Sequence, residues 1–268
     1  MAPVITFLSD YGYADEFVGV CHGVIARICP QARVIDITHG LDRHAVQHAA
    51  VILRNALRFM PVGVHLAVVD PDVGAERRAV ALGLGDERVL VGPDNGLLAL
   101  AAADGGGVAQ AIDIGRSRYR LEPVSATFHG RDLFAPVAAQ LAAGAELAEA
   151  GDPIEPAELA TLDLPQPTLG SEEIVAHVLA LDRFGNLTLN VSHDELAEAA
   201  LRLGRPLVVA AGGHSRAAHF AHTFADVAAG ELLVYEDASR TLAVAVNRGS
   251  AAEQLSVTVG DELRLRPA

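Results

Sequence analysis

Three residues in two short stretches carry the most chemistry in this chain. Val69-Asp70-Pro71-Asp72-Val73-Gly74-Ala75-Glu76-Arg77-Arg78 supplies a carboxylate and a guanidinium, and Phe128-His129-Gly130-Arg131-Asp132 supplies an imidazole. Each follows an apolar segment, Val64 to Val69 in one case and Pro123 to Thr127 in the other. Loops beyond strand ends are where open α/β sheets place their ligands, so the two stretches read as halves of one site. The trio suits the handling of a water molecule. Arg77 near Asp70 would favour the carboxylate anion, which makes Asp70 an orienter of water more than a strong base. His129 could pass a proton or fix the direction of a hydrogen bond near neutral pH, and Arg77 could stabilise hydroxide character. The alternative for these residues is a plain loop salt bridge, with His129 capping a helix that begins near Arg131.

Further polar residues also fall in loops. Asp10, in Leu8-Ser9-Asp10-Tyr11-Gly12, ends the first strand, where a carboxylate can accept hydrogen bonds from a ribose diol; an Asx turn or helix cap is the other reading. Asp182-Arg183-Phe184-Gly185-Asn186 offers a carboxylate and an amide that can meet a base edge, or an ordinary hairpin turn. Phe224, in Thr223-Phe224-Ala225-Asp226, could stack on a purine or close the edge of a core. Ser239-Arg240 could clamp a carboxylate or form a solvated turn.

The elements that must position these residues follow from periodicity. Val4 to Leu8, Arg33 to Ile37, Val64 to Val69, Ala79 to Leu84 and Val89 to Val91 read as strands, and Phe17 to Ile28, His44 to Phe59 and Asp132 to Ala143 as helices. Alternation of this kind predicts an α/β domain over residues 1–150 with a largely parallel sheet between helices. Pro153, Pro156, Pro165 and Pro167 mark residues 151–172 as a connector without regular structure. Residues 173–268, with shorter strands and turns at Gly185-Asn186, Gly204, Gly212-Gly213 and Asn247-Arg248-Gly249, predict a smaller β-barrel-like domain with one helix from about His193 to Leu201.

Composition excludes several classes of function. A net charge of -14 argues against nucleic acid as a partner. All 20 basic residues are arginine, which removes Schiff-base chemistry and a Walker lysine. Cys21 and Cys29 lie eight apart, neither a CxxC pair nor an obvious staple, and fit buried thiols of a reducing compartment. Ala2 to Leu8 lacks a basic leader region, and the alanine-rich run from Ala135 to Ala150 is too polar and short to span a membrane, so a cytoplasmic protein is expected. Among the 11 histidines, His44 and His48 share a helix face without a zinc-protease glutamate between them. His214, His219 and His222 cluster without a cysteine pair, so no metal site is expected.

Taken in order, Phe7-Leu8-Ser9-Asp10, Val68-Val69-Asp70-Pro71, Gly92-Pro93-Asp94-Asn95-Gly96-Leu97-Leu98, Phe128 to Asp132, Phe184-Gly185-Asn186, Thr223 to Asp226 and Ser239-Arg240 through Asn247 are colinear motifs spanning nearly the whole chain. They resemble the S-adenosylmethionine hydrolase family, which also includes fluorinase and chlorinase. The resemblance implies that Asp10 holds the ribose hydroxyls, Asn186 and Phe224 the adenine, and Asp182, Ser239 and Arg240 the amino-acid end of methionine. It also places the backbone near Arg248 against adenine, Asn95 among the substrate-binding residues and His44 beside the site. The hydrolases carry the set found here as Asp70, Arg77 and His129, whereas the halogenating enzymes have tyrosine at the positions of Asp70 and His129. Fluorinase further has a serine at the position of Gly130 and an insertion near Leu84. One departure is Asp72, where the family usually has glycine.

The implied reaction is cleavage of S-adenosyl-L-methionine by water or hydroxide at ribose C5', giving adenosine and L-methionine, with no metal or redox cofactor. A halide-dependent adenosyltransferase and a non-catalytic adenosyl-ligand sensor are the alternatives. The resemblance also implies a homotrimer whose sites lie at subunit interfaces.

Overall fold

The computed structural model describes residues 2–198, 201 and 204–268, and the chain divides into two compact units, Met1–Leu162 and Asp163–Ala268. The first unit is built on a seven-stranded sheet in the order β2-β1-β3-β5-β4-β6-β7. Its strands are β1 (Val4–Ser9), β2 (Arg33–Thr38), β3 (Val64–Val68), β4 (Ala79–Leu84), β5 (Val89–Pro93), β6 (Val108–Asp113) and β7 (Asp152–Ile154). The β2-β1-β3-β5 half is parallel, and β4, β6 and β7 extend it by antiparallel pairing.

Alternation along the central strands explains the layers. Ile5 and Phe7 of β1 and Val64, Leu66 and Val68 of β3 enter one core, with α1 (Phe17–Ile28) and α4 (Ala135–Ala142). Leu8, Ala67 and Val69 enter the other, with α2 (Val46–Leu57) and α3 (Ala99–Asp104). Burial on both faces is why β3 reads as an unbroken apolar run. α1 occupies the predicted Phe17 to Ile28, burying Val18, Cys21, Val24 and Ile25 along one stripe. The second helix starts at Val46 and not at His44, because His44 takes a left-handed backbone with φ 66°. The helix expected from Asp132 begins instead as a π-helical turn over Gly130–Phe134, with Pro136 in the first turn of α4.

Residues 151–162, within the segment read as a connector, pack with the first unit and supply β7 and a short 3-10 turn at Pro156–Glu158. Pro153 fits there because β7 is an edge strand, where a missing N–H leaves no ladder bond unmade.

The second unit is a closed seven-stranded barrel. Its strands are β9 (Ile174–Leu181), β10 (Leu187–Ser192), β11 (Pro206–Ala211), β12 (His214–Phe220), β13 (Leu232–Glu236), β14 (Thr241–Val246) and β15 (Glu262–Pro267), with β8 (Thr168–Leu169) added beside β9. The order β10-β14-β13-β12-β11-β15-β9 is closed by β9–β10 pairing, so no edge is left unpaired around the ring. α5 spans His193–Glu198, and α6 spans Ala251–Leu255. The extension of α5 expected to Leu201 runs through residues 199 and 200, which lie outside the described residues. Among the described residues no helix is long and apolar enough to cross a membrane.

His65 on β3 gives the first unit a pH dependence. Its ring is fully buried, with Nδ1 2.9 Å from Thr6 Oγ1 and Nε2 without a partner. Burial, helped by the charge of Arg88, pushes its pKa down to about 4. The unfolded chain therefore binds a proton that the folded chain refuses, so stability is full above about pH 6.5 and falls as pH drops towards 4. The expected loss from this group is about 3 kcal/mol at the bottom of that window. Denaturant melts at pH 7 and 4.5 check it; equal stability at both would show that His65 finds a partner on protonation.

Candidate active site

Two adjacent parallel strands hang two carboxylates from the same edge of the sheet. β1 and β3 pair with Ser9 opposite Val68, and Asp10 follows one residue and Asp70 two residues beyond their carboxyl ends. This is the edge where α/β sheets bind ligands.

Asp70 is gripped by Arg77. The Arg77 Nε–H lies 2.9 and 3.0 Å from Asp70 Oδ1 and Oδ2, and Arg77 Nη2 also donates to Oδ2. The side chains are only 9% and 6% exposed, so the pair is shielded from water. Nη2 also reaches His129 Nδ1 at 2.9 Å. A guanidinium only donates, so Nδ1 must accept, and the neutral ring carries its proton on Nε2. Burial first, and then the charge of Arg77, lower the pKa of His129, and the carboxylates of Asp70 and Asp132 oppose them only in part. The trio is thus a connected carboxylate, guanidinium and neutral imidazole.

Local structure fixes each member. Gly74 turns the loop between Asp70 and Arg77 with φ 84°, and a Cβ there would lie 2.6 Å from the carbonyl of Ala126, so this loop sits directly against the approach to His129. The guanidinium of Arg77 lies 5.2 Å from the centre of the Phe134 ring. Asn95 donates to the carbonyl of Val69 at 2.9 Å and accepts from the Leu97 N–H, so it braces the residue preceding Asp70. Asp132 is buried in the turn after His129. Burial pushes its pKa up, but hydrogen bonds from Arg131 and the Ser125 N–H outweigh that and hold it below the usual carboxylate value. Asp72 is exposed and keeps a negative φ; the left-handed position is Gly74.

A cavity of about 240 Å³ opens beside the trio, lined by Asp10, Tyr11, His44, Asp70, His129 and Gly130 among others. Asp10 Oδ2 accepts the His44 N–H at 2.9 Å, which ties the loop before α2 to the end of β1. Tyr11 was not singled out from the sequence, although it stands next to Asp10 and is one of only four tyrosines. Its hydroxyl occupies the space a Cβ on Gly130 would need, at 2.1 Å, and its ring is hemmed by Phe7, Phe17 and Phe128. Gly130→Ala is therefore expected to cost about 1–3 kcal/mol by overpacking. Part of that loss should return in a Tyr11→Phe background. Chemical denaturation of the two single variants and the double variant reads the coupling, and strict additivity would mean that Tyr11 moves aside freely.

The remaining expected residues lie in the second unit. Asp182 and Asn186 come together: Asp182 Oδ1 accepts the N–H groups of Phe184 and Asn186, and Asn186 Nδ2 donates to Oδ2 at 2.7 Å. Phe224 opens a 3-10 turn capped by Thr223 and Asp226, is 39% exposed, and its ring centre lies 5.4 Å from that of Tyr235. Ser239 and Arg240 occupy the turn after β13, where the Ser239 N–H donates to Asp237 and Arg240 approaches Glu236 at 3.6 Å. Arg240 and Arg248 both take left-handed backbone, with φ 61° and 60°. Tyr235 was also missed; burial, with Asp237 and Asp182 nearby, pushes its phenol up to about 12, so it stays a donor.

Family comparison accounts for both units. Residues 5–151 match the N-terminal domain of SAM hydroxide adenosyltransferase, and residues 176–264 match its C-terminal domain. The chain belongs to the SAM hydroxide adenosyltransferase family. It is 49% identical over 265 residues to an (R)-S-adenosyl-L-methionine hydrolase of Salinispora tropica, covering 98% of this chain and 97% of that one. It is 28% identical over 290 residues to a fluorinase of Actinopolyspora mzabensis, covering 98% and 97%. The crystal structure of an uncharacterised conserved protein from Thermotoga maritima superposes with a TM-score of 0.92 at 37% identity, covering 98% of this chain and 99% of that one. Within the SAM hydroxide adenosyltransferase frame, the connected trio belongs wholly to the N-terminal domain, and the adenine- and methionine-binding candidates belong to the C-terminal domain.

Proposed function

We propose that this chain hydrolyses S-adenosyl-L-methionine to adenosine and L-methionine. The observation that carries the reading is the connected trio beside the cavity: Arg77 holds Asp70 with its fork and His129 with the same Nη2. A water held between the Asp70 carboxylate and the His129 Nε2–H would have its lone pair directed by both. Its oxygen bonds to ribose C5' as the C5'–S bond breaks, and methionine leaves as a neutral thioether. The proton released from the attacking water passes to Asp70 and then to solvent. A strong base is not needed, because the protonated product oxygen is far more acidic than a carboxylic acid. Positioning of water in line with the C–S bond is the main contribution, worth several kcal/mol.

The reaction draws on no metal or redox cofactor. Asp10 would hold the ribose hydroxyls, while Asn186, Phe224 and the backbone near Arg248 meet adenine and Asp182, Ser239 and Arg240 meet the methionine end. The active assembly in this reading is a homotrimer, with two copies supplying each site; light scattering that finds a fully active monomer would overturn that part. The proposed location is the cytoplasm, a reading supported by two buried free cysteines, Cys21 and Cys29, which fit a reducing compartment.

Purified protein incubated with S-adenosylmethionine, with and without excess chloride, should yield adenosine and methionine in both samples by chromatography. Formation of 5'-chloroadenosine, or binding without turnover, would overturn the reading. The pH profile is a second check. Protonating His129 breaks its bond from Arg77 and sets two cations face to face, so kcat/KM should be flat above about pH 6.5 and fall below it. A profile that keeps rising through pH 8 would show that another group titrates in the rate-limiting step.

A further inference from the structure

His22, Asp36 and His39 converge away from the trio, on the α1 side of the sheet. His22 lies on α1, Asp36 on β2 and His39 just beyond β2. The Nε2 atoms of His22 and His39 lie 2.9 and 3.2 Å from the same oxygen, Asp36 Oδ1, and the three atoms all fall within 4.8 Å of one another. We propose that these three side chains bind a divalent first-row transition metal of the zinc class.

Four observations support it. The donor set, two imidazoles and one carboxylate, is the kind that open zinc sites use, with a further position left for water. Tetrahedral bonds of about 2.0–2.1 Å put ligand atoms about 3.3 Å apart, so the two histidine–carboxylate distances of 2.9 and 3.2 Å need to open by only a few tenths of an ångström. His39 is fully buried, and its Nε2 faces the cluster 3.2 Å from Asp36 Oδ1 without the alignment of a regular hydrogen bond. Its other nitrogen, Nδ1, is 2.6 Å from Ser9 Oγ, the outer partner that a ligating imidazole needs to fix its tautomer.

Access also fits. His22 and Asp36 are 35% and 29% exposed, so an ion can enter from solvent on one side while His39 anchors it from beneath. Phe7 and Tyr13 flank His39 with ring centres at 4.6 and 5.2 Å and restrict its rotation. The Gly12 N–H donates to the His39 carbonyl at 2.7 Å, so an ion here would tie α1 and β2 to the loop that carries Asp10.

The test uses the full chain after chelator treatment. Calorimetry with zinc should show one site, and cobalt should give ligand-field absorption in the visible. His22→Ala and Asp36→Asn should each weaken zinc binding at least about tenfold and abolish the cobalt bands, with the metal-free melting temperature unchanged. Zinc should raise the melting temperature of the parent and not of the variants. The proposal fails if the parent binds neither metal, or if both variants bind as the parent does, which would put the ion on other histidines such as His214, His219 and His222. Using two variants guards against one that misfolds, and none of these readouts depends on enzyme turnover.

Discussion

Asp70→Asn is expected to lower kcat for S-adenosylmethionine hydrolysis by about 10²–10³, with KM changed only a few-fold. The amide keeps the shape of the carboxylate and leaves one oxygen to accept from Arg77. What it removes is the charge that orients water and receives its proton, and it presents an N–H where the Arg77 fork now finds an oxygen. Ribose, adenine and methionine contacts lie elsewhere in the proposed site, so adenosine affinity by calorimetry should hold within a few-fold. Steady-state turnover read by adenosine formation decides it. An unchanged kcat would remove Asp70 from the chemistry and leave it a structural partner of Arg77.

Arg77→Met should be the more damaging change, since one side chain supports both other members of the trio. Methionine keeps the unbranched apolar stem but removes the guanidinium, with its contact to the Phe134 ring, and leaves a buried carboxylate without its cation. Breaking one side of a shielded ion pair costs about 3–5 kcal/mol. Turnover should fall by about three orders of magnitude, because the loss of orientation at Asp70 adds to the release of His129. The histidine also loses the neighbouring charge that holds its pKa down, so its NMR titration midpoint should move up. Arg77→Lys separates the two effects: a point charge can restore stability by pairing with Asp70 but cannot reach Asp70 and His129 in one plane. Denaturant unfolding, turnover and histidine titration of both variants give the answer. A lysine variant with parental kcat would show that charge alone suffices.

Much of this arrangement is legible in the amino-acid sequence. Buried parallel strands announce themselves as unbroken apolar runs, and the α1 stripe is plain at three- and four-residue spacing. Asp70 follows such a run and Arg77 shares its loop, but Pro123 to Thr127, read as an apolar segment leading to His129, forms no strand and is not buried. Long-range contacts were not legible. Nothing in the spacing of His22, Asp36 and His39 shows that a helix face and a strand end bring them together. The resemblance puts Asn95 among the substrate-binding residues, and the structure shows its amide held by the backbone on both sides. The helix expected to begin at His44 starts two residues later because Asp10, 34 residues away, holds the His44 N–H in a left-handed turn. Pro153 marked an irregular segment by composition, but a sheet edge tolerates a missing donor, which only the strand order reveals.

On the proposed reading, the pairing of β1 with β3 separates what is attacked from what attacks. The carboxylate proposed to hold the sugar lies one residue beyond β1 and the carboxylate proposed to hold water two residues beyond β3, and neighbouring strands lie about 4.8 Å apart whatever the loops do. Exchange of the residue at the tip of β3 would therefore change the nucleophile while leaving the sugar where it was. On the proposed reading, a fold built this way would offer new chemistry at one position without rebuilding the pocket, and the loop beyond β3, with its partners on two loops, would be the place where the identity of the attacking group is decided.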